Sequence, residues 1–113
     1  MEKTHCDINV TERGGVTTIE LSGEFDVSAA TEFDSTVHHL HEHPPEEVTI
    51  DLRNLTFIDS TGLRALIEAQ MQLEAVGSAF CVIHRRGHVA DILGLTGADR
   101  VLRLVEAPLE TSE

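Results

Sequence analysis

Apolar residues recur along this chain with two periods, and the period switches where turn residues intervene. "DINVTE" and "VTTIEL" are β-branched runs on either side of "RGG", so they predict a hairpin turning at Gly14-Gly15, with its second run ending at Gly23. In "GEFDVSAATEFDSTVHHLHEH", Ala30, Phe33, Val37 and Leu40 recur at helical spacing. Asp26 or Ser28 is the expected N-cap of that helix. Pro44-Pro45 ends it, because proline lacks the amide donor and restricts the residue before it. "EVTIDL" predicts a third strand with Val48, Ile50 and Leu52 on one face. "LRALIEAQMQLEAVG" predicts a second helix. Leu63, Leu66, Ile67, Leu73 and Val76 make its apolar face, Arg64, Glu68 and Gln72 its polar face, and Gly77 its stop. "AFCVI" is a continuous apolar run of the kind a buried strand shows. "GHVADILGLTG" predicts a short third helix bearing Val89, Ile92 and Leu93, and "VLRLV" a last strand. "EAPLETSE" has too little apolar content to hold a helix and is expected to fray.

Strand–helix–strand units make parallel neighbours with right-handed crossovers, and the hairpin adds an antiparallel strand. The predicted class is α/β: a mixed, mostly parallel β-sheet with an N-terminal hairpin and helices packed against it. The 113 residues fit one domain, with a core over about residues 7–107 and a frayed tail at 108–113.

Composition narrows the function classes. The net charge of −12 argues against nucleic acid and anionic membrane surfaces, which need a basic footprint, and leaves room for a basic protein partner. No apolar run approaches the roughly 18–20 residues needed to cross a bilayer. "MEKTHCDINV" lacks the basic start and apolar core of a signal peptide, so a cytoplasmic protein is expected. Cys6 and Cys81 show no CxxC spacing and cannot alone build a structural zinc site, so two reduced thiols are expected.

In open α/β sheets, sites gather beyond the carboxyl ends of the parallel strands. Three strand-to-helix loops should meet there: "GEFDVS" with Glu24, Asp26 and Ser28, "RNLTFIDST" with Asp59, Ser60 and Thr61, and "HRRGH" with His84, Arg85 and Arg86. Each has a plain alternative: Asp26, Asp59 and Ser60 as helix caps, and Arg85 and Arg86 as a solvated loop pair. In "HHLHEH", His39 and His43 are four apart and His38 and His41 three apart. That spacing suits a metal on a helix face, but histidines at a helix end also suit the dipole, and no metal or cofactor is expected. "DSTG" is not the Asp-Ser/Thr-Gly triplet of aspartic proteases, because an extra residue separates Asp59 from Gly62. With no GxSxG elbow, P-loop or HExxH, no enzyme activity is expected.

"LSGEFDVSAATEF", "VTIDLRNLTFIDSTGLRAL" and "GLTGADRVLRLVE" follow one another in an order that resembles the STAS family, specifically the bacterial anti-sigma factor antagonists. The resemblance covers roughly residues 7 to 107, and its middle segment is the most specific. It implies the STAS fold and a phosphorylation site at Ser60, the serine after the aspartate, with its neighbour Thr61 the less favoured acceptor. It implies that the kinase is the partner itself, an anti-sigma factor of the GHKL serine-kinase type. The unphosphorylated antagonist binds that factor and frees a sigma factor. Phosphorylation ends the complex, and a serine phosphatase restores it. Asp26, Asp59, Ser60, Thr61, Gly62, Leu63 and Arg64 are then the expected partner-binding residues. Arg85 and Arg86, on the same sheet edge, are expected to contact the phosphate or the partner. The alternative is a STAS scaffold subunit of a stressosome-like or lipid-transport assembly, without a phosphorylation cycle. A nucleotide-binding or hydrolytic protein is the third class. Family members often continue into an amphipathic C-terminal helix, which "APLETSE" supplies as a short one or not at all.

Overall fold

Gly14 and Gly15 both take positive φ, 60° and 85°, as a two-residue hairpin turn requires. They join β1 (Cys6–Arg13) to β2 (Val16–Phe25) in a computed structural model that describes residues 6–107. The chain continues through α1 (Val27–Glu42), β3 (Glu47–Ile58), α2 (Ser60–Ala75), β4 (Ala79–His84), α3 (His88–Thr96), a 3-10 turn (Ala98–Arg100) and β5 (Leu104–Glu106). The strands lie in the sheet in chain order. β1 runs antiparallel to β2, and β2, β3, β4 and β5 are parallel. This is the expected mixed sheet. The tail at 108–113 lies outside the described residues.

The core lies on one sheet face. Ile19, Leu21, Val48, Ile50, Leu52, Phe80 and Val82 are buried there with Phe33, Val37 and Leu40 of α1 and Leu66, Ala69 and Leu73 of α2. "AFCVI" was expected to be a buried strand, yet only Phe80 and Val82 are buried, while Cys81 and Ile83 are half-buried. The reason is that α1 and α2 pack on the face that Phe80 and Val82 share, and the other face is less covered.

Several element ends differ from the sequence pattern. β2 does not stop at Gly23 but runs to Phe25, and β3 does not stop at Leu52 but runs to Ile58. Two register shifts separate β2 from β3, between Glu20 and Ser22 and between Gly23 and Glu24. In each, β3 carries one more residue than β2, so Leu52, Leu55 and Ile58 are buried at intervals of three instead of two. A bulged strand hides from a period-2 search, and "RNLTFIDST" is therefore mostly strand and not loop. Gly23, at φ +95°, sits inside the strand at the second shift. The last strand starts at Leu104 and not at Val101, because the 3-10 turn closes on Val101 and Leu102. Gln70 of α2 holds that segment, donating to Val101 O at 2.8 Å and accepting from Arg103 N at 2.9 Å.

Cys6 and Cys81 sit on β1 and β4, with two strands between them. At about 4.8 Å per strand that separation exceeds the roughly 7 Å limit for bridged Cα atoms. Burial pushes the Cys6 thiol up to about 11, so it stays protonated at neutral pH. Among the described residues no helix is long and apolar enough to cross a membrane.

Among the described residues, the less covered sheet face carries one buried charge. Asp51 accepts from Arg53 Nε at 3.0 Å, from Arg53 Nη2 at 2.8 Å and from the Arg53 amide at 3.0 Å. The Arg53 side chain holds the Asp51 carboxyl below the usual carboxylate range against burial, which acts to raise it. Replacing Arg53 by alanine is expected to cost about 1–3 kcal/mol at neutral pH, because a buried carboxylate loses its bidentate partner. A depressed carboxylate contributes stability above its unfolded value of about 3.9 and loses it as pH falls through the lower folded value. The gap between wild type and Arg53→Ala should therefore close below about pH 4 in urea titrations. A gap independent of pH would sink the assignment.

Candidate functional site

Two of the strand-to-helix junctions are built alike. A single extended residue, Asp26 after β2 and Asp59 after β3, separates the strand from the helix it caps. Asp26 accepts from Ser28 N at 3.0 Å and from Ser28 Oγ at 2.7 Å. The Ser28 hydroxyl, helped by backbone amides, outweighs desolvation and holds the Asp26 carboxyl below the usual range. Asp26, not Ser28, is thus the cap of α1. At the second junction Asp59 Oδ1 accepts from Gly62 N at 2.9 Å, and Asp59 O accepts from Leu63 N at 2.9 Å. Asp59 does the capping, which leaves Ser60 free of that duty. Ser60 is the first residue of α2, it is exposed, and among the described residues no hydrogen bond engages its hydroxyl. Thr61 is exposed beside it.

The first two junctions touch. Asp59 N donates to Phe25 O at 3.3 Å, and Thr56 Oγ1 donates to Gly23 O at 2.9 Å. A Cβ on Gly62 would lie 2.5 Å from Phe25 O and 3.1 Å from both Phe25 Cδ2 and Ile58 Cγ1. The missing side chain is what lets the first turn of α2 lie on the end of β2. Gly62 and Leu63, both among the expected partner-binding residues, are buried, and Leu63 is part of the core. Their place is to hold Ser60, Thr61 and Arg64 in position. Arg64 is exposed, with its Nε 4.0 Å from Glu68 Oε2 one turn on. An exposed pair of this kind adds only a few tenths of a kcal/mol.

The third junction meets the second through Phe57, whose ring stacks on His88 with centroids 6.3 Å apart and planes at 16°. Beside it lies a cavity of about 320 Å³ lined by Thr56, His84, Arg85, Arg86, His88 and neighbours. Ser60 is not among its lining residues. Arg85 and Arg86 are exposed, and Arg86 Nε lies 3.5 Å from Glu106 Oε2. The sheet edge gathers the three junctions as the topology requires, but in two groups. Asp26, Asp59 and Ser60 lie at the joined ends of β2 and β3, and the arginines line the cavity by Phe57. The bulged end of β3 makes this arrangement, and no sequence signal short of the bulge would have found Thr56 or Phe57.

The histidine run is used locally. His38 Nε2 lies 3.3 Å from Glu42 Oε2, and the rings of His39 and His43 are 5.5 Å apart. Among the described residues no three His, Cys, Asp or Glu side chains are placed to hold a metal ion.

Comparison with known proteins bears on this geometry. Residues 8–106 match the family model described as "Mlab, STAS domain". The structure is similar to an anti-sigma factor antagonist from Mycobacterium paratuberculosis, at 26% identity over 88% of this chain and 85% of that one, with a TM-score of 0.80. It is also similar to the anti-sigma factor antagonist SpoIIAA in its unphosphorylated form, at 17% identity over 90% of this chain and 89% of that one, with a TM-score of 0.76. For SpoIIAA of Bacillus in its phosphorylated form the figures are 16%, 90%, 92% and 0.72. No curated protein matches the chain by sequence.

Proposed function

The chain belongs to the STAS-domain family, and on that premise we propose that it is an anti-sigma factor antagonist switched by phosphorylation at Ser60. Unphosphorylated, it binds an anti-sigma factor of the GHKL serine-kinase type and so releases a sigma factor. Phosphorylation by that kinase ends the complex, and a serine phosphatase reverses the change. The observation that carries this reading is the exposed, unengaged hydroxyl of Ser60 at the start of α2, with capping already done by Asp59. A hydroxyl committed to the helix amides would have to leave them to be phosphorylated, and this one does not. The free N–H groups of a helix start also favour an anion, so the phosphorylated state need not break α2. Partner contacts fall to the exposed Ser60, Thr61 and Arg64, flanked by Asp26 and Asp59. Arg85 and Arg86 are assigned to the partner's outer contact, since they line the neighbouring cavity.

The test is to incubate the protein with its cognate kinase and ATP and to map the phosphate by mass spectrometry. One phosphate on Ser60, absent from Ser60→Ala, is expected. Phosphate on Thr61 or elsewhere refutes the site. Stable kinase-free docking to a different assembly would favour the scaffold reading instead.

A further inference from the structure

β1 is an open edge. Among the described residues it pairs with β2 on one side only and does so in unbroken register from Cys6↔Gly23 to Arg13↔Val16. In a two-residue hairpin the pair flanking the turn exchanges both of its hydrogen bonds, and such pairs then alternate along the ladder. Asp7, Asn9, Thr11 and Arg13 therefore direct their N–H and C=O groups to β2, and Ile8, Val10 and Glu12 direct theirs outward. An edge of this length is a template for another strand, and natural sheets blunt it with proline, bulges or charged side chains, lysine above all. β1 has no proline, lysine or bulge, and its charges are Asp7, Glu12 and Arg13. The other edge, β5, is only 3 residues long.

The charges of β1 complement a second copy of themselves. We propose that two copies of this chain associate through β1 against β1, antiparallel about a two-fold axis at Val10. Val10 then faces Val10, Ile8 faces Glu12, Asn9 faces Thr11 and Asp7 faces Arg13, each of the last three twice by symmetry. The residues with outward backbone groups pair with one another, so the two ladders close without a bulge. Asp7 and Arg13 fall at non-hydrogen-bonded positions, where Cα atoms approach to about 4.5 Å and side chains meet most closely. Like charges oppose nowhere in this register. A shift of the axis to Asn9 or Thr11 leaves Asp7 and Arg13 without each other, and a parallel pairing sets Asp7 beside Asp7. Val10, 44% exposed and on the same face as Ile19 and Leu21, would be covered by its own copy, which carries the core across the joint. The repulsion between two molecules of charge −12 is screened over about 8 Å at physiological salt, while the Asp7–Arg13 contacts are local. The joint lies on the far side of β2 from β3 and α2, so Ser60 stays open in the dimer.

Sedimentation equilibrium of the full chain at physiological ionic strength tests this. Wild type is expected to be in monomer–dimer equilibrium. Asp7→Arg and Arg13→Asp should each raise the dissociation constant about tenfold or more, since each sets like charges opposite one another twice. An equimolar mixture of the two variants should restore association as a heterodimer, because each copy then carries the charge the other lacks. The double variant Asp7→Arg/Arg13→Asp should restore it alone. In the dimer, hydrogen exchange at the amides of Ile8, Val10 and Glu12 should slow with protein concentration. A wild type that stays monomeric at millimolar concentration overturns the proposal. So does a dimer indifferent to the single variants, or single variants that the mixture fails to rescue.

Discussion

Phosphorylation of Ser60 is expected to weaken binding to the proposed anti-sigma factor partner by about 10²–10³-fold while leaving the protein folded. A phosphoryl group adds roughly −1.5 to −2 charges at neutral pH. Added to a net charge of −12, that changes the long-range field little, and salt screens it beyond about 8 Å. The effect must arise at the contact surface itself. An uncompensated charge closed into an interface costs several kcal/mol, and each 1.4 kcal/mol is about tenfold in affinity. Asp26 and Asp59 flank the site and add no compensation, because both are anionic caps already bonded to backbone amides. Ser60→Ala should bind like wild type and escape phosphorylation. Ser60→Asp, with one added charge in place of nearly two, should fall between, at about a tenfold loss. Titration calorimetry on the four forms reads the series directly. Equal affinity of the phosphorylated and unphosphorylated proteins would end the model. A collapsed thermal transition on phosphorylation would show refolding instead of a contact effect.

Gly62→Ala is expected to lower stability by about 1–3 kcal/mol net, with the midpoint in urea reduced and the slope unchanged. The new Cβ would sit 2.5 Å from a backbone oxygen, Phe25 O, and that atom belongs to a strand end packed around the fully buried Phe25 ring. Backbone there has no easy way to yield, so overpacking outweighs the roughly 1 kcal/mol by which alanine favours a helix. Gly94 supplies the contrast. It lies within α3, and a Cβ there meets nothing nearer than Asp99 Oδ2 at 3.9 Å. Gly94→Ala should therefore stabilise by up to about 1 kcal/mol. The same substitution is thus expected to have opposite signs at two helical glycines. A neutral or stabilising Gly62→Ala would mean that α2 does not approach β2 as described. Because Gly62 holds the Ser60 turn in place, the variant should also phosphorylate more slowly even where it remains folded.

The elements most readable from sequence were those with uninterrupted periods. The stripe of Phe33, Val37 and Leu40 placed α1, the two glycines placed the hairpin, and Pro44 marked the end of α1. Where two patterns overlapped, reading failed. The period-2 pattern of β3 ends at Leu52, because its two bulges change the spacing of buried residues from two to three. The pairing of Thr56 with Gly23 and the stack of Phe57 on His88, which link the junctions, lie beyond that point. The cap was ambiguous for a different reason. Aspartate and serine are equally good N-caps, so "DS" cannot say which of the two carries out the task.

Local chemistry in the sequence was enough to set a carboxylate, a hydroxyl and a glycine at the start of one amphipathic helix, and to set the strand–helix order that carries three loops to one sheet edge. Both follow from short-range rules: capping, periodicity and the handedness of crossovers. Only the tertiary structure determined that Asp59 caps while Ser60 stays unengaged, that Phe25 occupies the space beside Gly62, and that the arginines line a separate cavity. The last two outcomes depend on how closely residues some 30 to 40 positions apart approach one another. Backbone approach at that range is set by packing and bulges, and no window along the chain contains it.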